Sequence, residues 1–188
     1  SAYLPTAGKP REAAIQVLQR LRQQEGPIAL SGVCLTGSGK ARLADDLGVP
    51  SINEIVAQAR GCWEQFPEVK SIIEIGGQDS KFIAIARRED GSPFIERHAF
   101  NGLCSAGTGA FLDHQAHRLG LNIEAFSMQA YHAATVPPIA GRCSVFAKSD
   151  MIHLQQKGVG PDAIAAGLCH ALARNYIATL CKGTRPEM

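Results

Sequence analysis

The chain has 188 residues, with 19 Lys and Arg against 17 Asp and Glu, a formal net charge of +2 and 45% apolar residues. That length accommodates one large domain or two small lobes, and the apolar share is enough to build a core. A charge balance this near neutral carries no electrostatic footprint for nucleic acid or an anionic membrane. The longest uncharged run, Ala125 to Gly141, contains His132 and Pro137-Pro138 and is no spanning helix. No basic segment followed by an apolar stretch opens the sequence, as a signal peptide would. Membrane-spanning, collagen-like and disordered classes are excluded on these grounds. The six cysteines are too sparse for a disulfide scaffold and none has CxxC spacing, so a cytoplasmic protein with reduced thiols is expected.

In chain order, Ile15, Leu18 and Leu21 recur at helical spacing up to the Gly26-Pro27 stop. Ile28 to Leu35 reads as a strand ended by Thr36-Gly37-Ser38-Gly39. Helices are expected over about 40–47 and 51–61, the second with Ser51 and Glu54 spaced as a capping box. Ser71 to Ile75 is a strand ending in Gly76-Gly77, and Lys81 to Arg87 with Pro93 to Phe100 form a hairpin turned at Glu89-Asp90-Gly91-Ser92. Helices follow to Leu119, over about 122–132, from Val145 to Gln156 and from Asp162 to Cys181. In the last of these, Ile164, Leu168, Leu172, Tyr176 and Leu180 form an i, i+4 stripe, Pro161 sits in its first turn and Gly183 just past its end. The pattern is mixed α/β, with a domain boundary near residue 70.

The chemistry concentrates at glycines. Gly76 and Gly77 at a strand end let the backbone approach a phosphate, with Gln78 and Asp79 beside it. An exposed carboxylate is a poor base at neutral pH, so Asp79 is assigned the Mg²⁺-bound water and Gln78 the attacking water. On composition alone a plain β-turn is the simpler account. Ala106-Gly107-Thr108-Gly109 opens a helix whose first amides suit an anion, although tight helix packing explains the same residues equally well. Thr36-Gly37-Ser38-Gly39-Lys40 is not a P-loop, because a Walker A motif needs Gly where Cys34 stands and Ser or Thr where Ala41 stands.

Cys104 and Cys143 share a local pattern, each followed by Ser at the start of an expected helix, where thiolate is stabilised for a metal or iron–sulfur cluster. Two thiolates are half of a four-thiolate shell, so such a cluster would lie on a two-fold axis between identical chains. Cys34, Cys62, Cys169 and Cys181 read as buried small hydrophobes, and residues alone favour that reading for Cys104 and Cys143 too. The six histidines form no HxxxH or HExxH arrangement, and no Ser/His/Asp set emerges from spacing.

Taken together, five ordered segments resemble one family, the ATP-dependent activators of 2-hydroxyacyl-CoA dehydratases with the related ATPase subunits of benzoyl-CoA reductases. The segments are Thr36 to Lys40, Asn53 to Ala59, Ile73 to Lys81, Cys104 to Leu112 and Gly141 to Asp150, and the likeness runs from about residue 28 to 181. The ending Lys148-Ser149-Asp150 looks like the large, multi-domain members. The resemblance implies an α/β, actin-like and sugar-kinase-like ATPase fold of two ribonuclease-H-like lobes, incomplete in this chain. Residues 1–70 would be the end of the first lobe and 71–188 the start of the second. It implies that Gly76, Gly77, Gln78 and Asp79 form a phosphate loop, that Gly107, Thr108 and Gly109 face ATP phosphates, and that Cys104 and Cys143 ligate one [4Fe–4S] cluster shared by a homodimer. The cofactors would be ATP with Mg²⁺ and that cluster. The partners would be a reduced ferredoxin or flavodoxin as donor and an acyl-CoA dehydratase or reductase component as acceptor. The family's opening Asp-x-Gly-Ser hairpin and its late adenosine-binding Gly-Gly have no counterpart here, while Glu74 and Gln58 stand where Asp and His are common. An internal piece of a longer ATPase, inactive alone, is therefore expected. The alternatives are a cluster-free actin-like ATPase or small-molecule kinase, and a non-catalytic docking module of a larger redox protein.

Overall fold

Proline at the first position and glycine just past the last delimit the first helix, α1 (Pro10–Glu25), with Gly26 at φ 76°. The computed structural model describes residues 2–4, 6, 8–26, 31–101, 105–182 and 186–187. These divide into two units, Ser1–Gly61 and Cys62–Met188. In the first unit α2 (Lys40–Leu47) ends on Gly48 in the left-handed region, and α3 (Glu54–Gln65) begins there and runs past the division. The strand expected from Ile28 has residues 28–30 outside the described set. Of its remainder only Leu35 pairs, in a parallel bridge to Ser51.

That bridge corrects the start expected for α3. Leu35 N–H donates to Pro50 (3.0 Å) and its carbonyl accepts from Ile52 N–H (2.9 Å), which keeps Ser51 extended. The helix therefore opens three residues later, where Asn53 Oδ1 accepts from Ile55 N–H at 2.8 Å. Among the described residues of this unit, only Ala13, Ala44 and Ala59 are buried. Cys34, expected inside, is exposed.

The second unit starts with an antiparallel sheet, β1 (Ser71–Ile75), β2 (Ser80–Arg87) and β3 (Pro93–Phe100), in that spatial order. The β2–β3 turn forms as expected: Gly91 takes φ 81° and Asp90 Oδ1 accepts from Ser92 N–H at 2.9 Å. A single 3₁₀ turn, Ser105–Gly107, leads into α4 (Gly109–Arg118), then α5 (Ile123–His132), α6 (Ser144–Gln156) and α7 (Pro161–Tyr176). α7 passes into one turn of π-helix, Ile177–Cys181. No helix among the described residues is long and apolar enough to cross a membrane.

α7 organises this unit, because its i, i+4 stripe is buried throughout: Ile164, Leu168, Leu172, Tyr176 and Leu180. Its first half joins Phe111, Phe126, Ile139, Ala147 and Met151 in the helical core. Its end packs Tyr176, Leu180 and Cys181 against Phe82 of the sheet. Arg97 of β3 then donates to the carbonyls of Cys181 (2.8 Å) and Leu180 (3.3 Å), serving acceptors that the end of a helix leaves open.

The phenol of Tyr176 donates to the carbonyl of Lys81. Burial, followed by the nearby Cys181, pushes its pKa well above the ordinary 10.0. A raised folded pKa means that the contribution of the neutral phenol is fully present below pH 10 and is lost as pH rises beyond it, because the unfolded chain releases that proton first. The wild type should thus lose stability above about pH 10 more steeply than Tyr176→Phe, compared by chemical denaturation at stepped pH. At neutral pH, Tyr176→Phe should cost about 1 kcal/mol.

Candidate functional site

The register of β1 on β2 places Ile75 opposite Ser80 and Glu74 opposite Lys81. The intervening residues close tightly, with Gly76 N–H donating to the Asp79 carbonyl at 2.9 Å. Gly77 and Gln78 form the exposed tip, and Asp79 is half-buried beside it. Gly76 has no room for a side chain: a Cβ there would lie 2.6 Å from Glu74 Oε1 and 2.7 Å from the Asp79 carbonyl.

The turn is seated on the start of α4. Gly109 N–H donates to the Gly76 carbonyl at 2.8 Å and Ala110 N–H to the Gly77 carbonyl at 3.2 Å. Thr108, fully buried at the N-cap, accepts from Phe111 N–H through Oγ1 at 3.4 Å. The first three amides of α4, which have no partner within the helix, are all engaged in this way. The Gly109 amide, read from sequence as a phosphate donor, is therefore spent on the turn in this arrangement. A Cβ on Gly109 would stand 3.2 Å from the Gly76 oxygen, so the helix approaches the turn backbone to backbone.

A trans peptide sets its C=O and N–H on opposite sides. Anchoring the carbonyls of Gly76 and Gly77 on α4 consequently directs the next amides, those of Gly77 and Gln78, away from the helix. Neither amide has a hydrogen-bond partner among the described residues. Two adjacent outward amides on a turn are an anion-binding arrangement.

Ser80 fixes the base of the turn. Its N–H donates to Asn101 Oδ1 (2.6 Å), its hydroxyl to the carbonyl of Gly107 (2.6 Å), and its own carbonyl accepts from Asn101 N–H (3.0 Å). Gly107 accordingly contributes a carbonyl to the scaffold, and Asn101 Nδ2 would lie 3.0 Å from any Cβ at that position.

Next along β2, Lys81 is only 4% exposed. Its ammonium bonds Asp79 Oδ1 at 2.6 Å and Glu74 Oε2 at 3.2 Å. Burial alone would lower its pKa, but the hydrogen bonds and charges of Asp79 and Glu74 outweigh that and raise it above 10.5. Sequence reasoning missed Lys81, Ser80 and Asn101. The available signal was the hairpin register, since a tight turn at Gly77-Gln78 necessarily sets residue 74 opposite 81 with opposite charges.

The cysteine pair is described in one half. Cys104 lies outside the described residues. Cys143, half-buried, is the N-cap of α6 as expected. Its approach segment lies on α7, where Gly141 faces the Ala171 carbonyl with no space for a Cβ. Arg174 donates to the Ile139 carbonyl (3.0 Å), and Ala140 N–H donates to Asp150 Oδ2 (2.8 Å). Among the described residues no three His, Cys, Asp or Glu converge on a metal position.

The mixed α/β architecture belongs to an actin-like fold, the fold of its solved structural neighbours. The sequence matches the BadF/BadG/BcrA/BcrD ATPase family across residues 6–186, and the chain belongs to that family. It is 34% identical over 180 residues to YjiL of Escherichia coli (strain K12), covering 94% of this chain and 67% of that one. It is 33% identical over 139 residues to the activator of lactoyl-CoA dehydratase of Anaerotignum propionicum, covering 74% and 51%. The solved activator of the 2-hydroxyisocaproyl-CoA dehydratase from Clostridium difficile with bound ADPNP superposes with a TM-score of 0.78 at 28% identity, covering 88% of this chain and 60% of that one. The chain thus spans about half to two thirds of the length of these relatives.

Crowding separates the two glycines of the turn. Gly76→Ala should destabilise the protein by about 1–3 kcal/mol through overpacking. Gly77→Ala, with nothing within 4 Å of its Cβ, should stay within about 0.5 kcal/mol of wild type. Urea denaturation of the two variants checks this contrast.

Proposed function

We propose that the chain carries the phosphate loop and the cluster cysteines of an ATP-hydrolysing activase that drives low-potential electrons to an acyl-CoA dehydratase or reductase. The observation that carries this reading is the pair of amides on Gly77 and Gln78 that have no partner among the described residues, held outward by the seating of their turn on α4. Family membership and the named dehydratase activators among the relatives support it.

In this reading the Gly77 and Gln78 amides receive terminal phosphate oxygens of ATP, and glycine at 77 leaves the approach open. The Gln78 side chain orients the attacking water. Gly107, Thr108 and Gly109 lie behind the phosphates as the support that holds the loop in place. Asp79 and Glu74 present hard carboxylate oxygens, the donor type Mg²⁺ prefers, and Asp79 would hold it through a bound water. Mg²⁺ there would neutralise charge developing on the phosphates. Residues up to about 70 are assigned to the first lobe of the family fold and the rest to the second.

Cys143 has the chemistry of a cluster ligand: a thiol at the N-cap of a 13-residue helix, on a segment fixed by backbone contacts. Cys104 would be its companion, and two copies of the chain would complete the four thiolates of a [4Fe–4S] cluster, which supplies one-electron transfer when bound. A reduced ferredoxin or flavodoxin would deliver the electron.

Iron content tests the reading directly. After anaerobic reconstitution the intact protein should bind about two irons per chain, and the Cys104→Ser, Cys143→Ser double variant almost none. Equal, negligible iron in both would leave a cluster-free ATPase. In the intact, full-length ATPase, Gln78→Ala should lower ATP turnover by roughly a hundredfold while ADPNP affinity stays close to wild type. An unchanged turnover would remove Gln78 from the reaction.

A further inference from the structure

The carboxylates of Asp79 and Glu74 reach Lys81 from two sides, the first from the turn and the second from the facing strand. Their oxygens therefore converge on a single point, and an ammonium occupies it. Lys81 has nearly no solvent contact, and its backbone is tied down as well, because its carbonyl accepts from Tyr176. A buried lysine held at both ends cannot swing out to make room as a surface lysine does. Asp79 is thereby held at the edge of the turn with one oxygen already engaged, and a divalent cation reaching for that carboxylate meets a fixed positive charge first.

We propose that Lys81 is a positioning residue that holds the Asp79 carboxylate beside the phosphate loop and keeps a divalent cation off it until nucleotide phosphates bring one in. The inference deepens the function proposed above and rests on Asp79 serving the nucleotide-borne Mg²⁺. The ammonium acts in two ways. It sets the direction of Asp79, which is otherwise a half-exposed side chain free to rotate. It also offsets one of two close negative charges, so that Glu74 and Asp79 do not form a cation trap without nucleotide. The phosphate oxygens of a bound nucleotide supply the additional negative charge needed for Mg²⁺ to compete with Lys81.

The test reads cation binding in the intact protein without nucleotide, using Mn²⁺ as the probe and the electron paramagnetic resonance of the free ion as the measure. Lys81→Met empties the point of convergence and should bind Mn²⁺ about tenfold more tightly than wild type, within the usual span of coupled equilibria. Lys81→Arg keeps the charge and should behave as wild type. The gain should vanish in the Lys81→Met, Asp79→Asn double variant. A purely structural lysine would lower thermal stability in Lys81→Met and leave Mn²⁺ affinity unchanged, and that result overturns the proposal. A gain that survives Asp79→Asn overturns it too. Lys81→Gln, which keeps a hydrogen-bonding group beside both carboxylates, gives the same readout if Lys81→Met does not fold. A parallel ADPNP titration separates the two readings. A wild type that binds no ADPNP defeats the nucleotide assignment, while the Mn²⁺ series still decides whether Lys81 guards Asp79.

Discussion

The donation of the first two α4 amides to the carbonyls of Gly76 and Gly77 is the contact on which the site depends. It satisfies two groups that every helix leaves open at its start, and it fixes the orientation of two peptide planes in the turn. An isolated hairpin tip would sample several arrangements. Seated on a helix, this one has its carbonyls committed on one side and its amides presented on the other. The helix thus orients the amides of the turn. Glycine at 109 lets the helix come this close, since a Cβ there would crowd the Gly76 oxygen at 3.2 Å, while glycine at 76 is required by the turn's own Asp79 carbonyl and Glu74 side chain.

A second constraint is shared by both candidate centres. α7 passes from the helical core to the sheet, and near its end Tyr176 bonds the backbone of Lys81, the residue that grips Asp79. Between those ends, Ala171 and Arg174 hold the segment leading to Cys143 through close backbone packing and a hydrogen bond. One helix therefore sets the position of the glycine turn and of Cys143. Its buried i, i+4 stripe leaves it no freedom to rotate without opening the core. Any change of its pitch at the π-helical turn Ile177–Cys181 would fall between the sheet and the helical core.

Much of this was legible in the sequence, and the reason differs from element to element. The stripe from Ile164 to Leu180 predicted α7 because burial along one helix face leaves a period that no strand shares. The hairpin β2–β3 was legible from Asp90-Gly91, whose turn chemistry is local. Local signals also explain the error at α3. Ser51 and Glu54 have the spacing of a capping box, yet Ser51 is held extended by Leu35, sixteen residues away in sequence, and a long-range strand contact outweighs a cap. The same limit applies at the site. The glycines and Asp79 announced themselves by type, whereas Lys81 looked like an ordinary strand lysine. Only the register that pairs it with Glu74 places it inside, and register is decided by the turn and the sheet together.

The functional groups at these centres are held by backbone contacts more than by side-chain packing. Gln78 is exposed at the tip of the turn, and Cys143 is placed by the path of residues 139–142 over α7. Such a design makes the scaffold intolerant at glycines and the reactive positions themselves comparatively free. Side chains at 78 and 143 can then be selected for chemistry without disturbing a core. Gly76, Gly109, Gly141 and Gly167 cannot vary in that way, since each touches another backbone where a methyl group would not fit without displacement. Lys81 is the exception, a side chain that is both structural and close to the chemistry. Its burial under Tyr176 and between two carboxylates ties the charge balance of the site to the integrity of the fold. Replacing it by a shorter cation would preserve the sign of the charge while losing the reach to both partners.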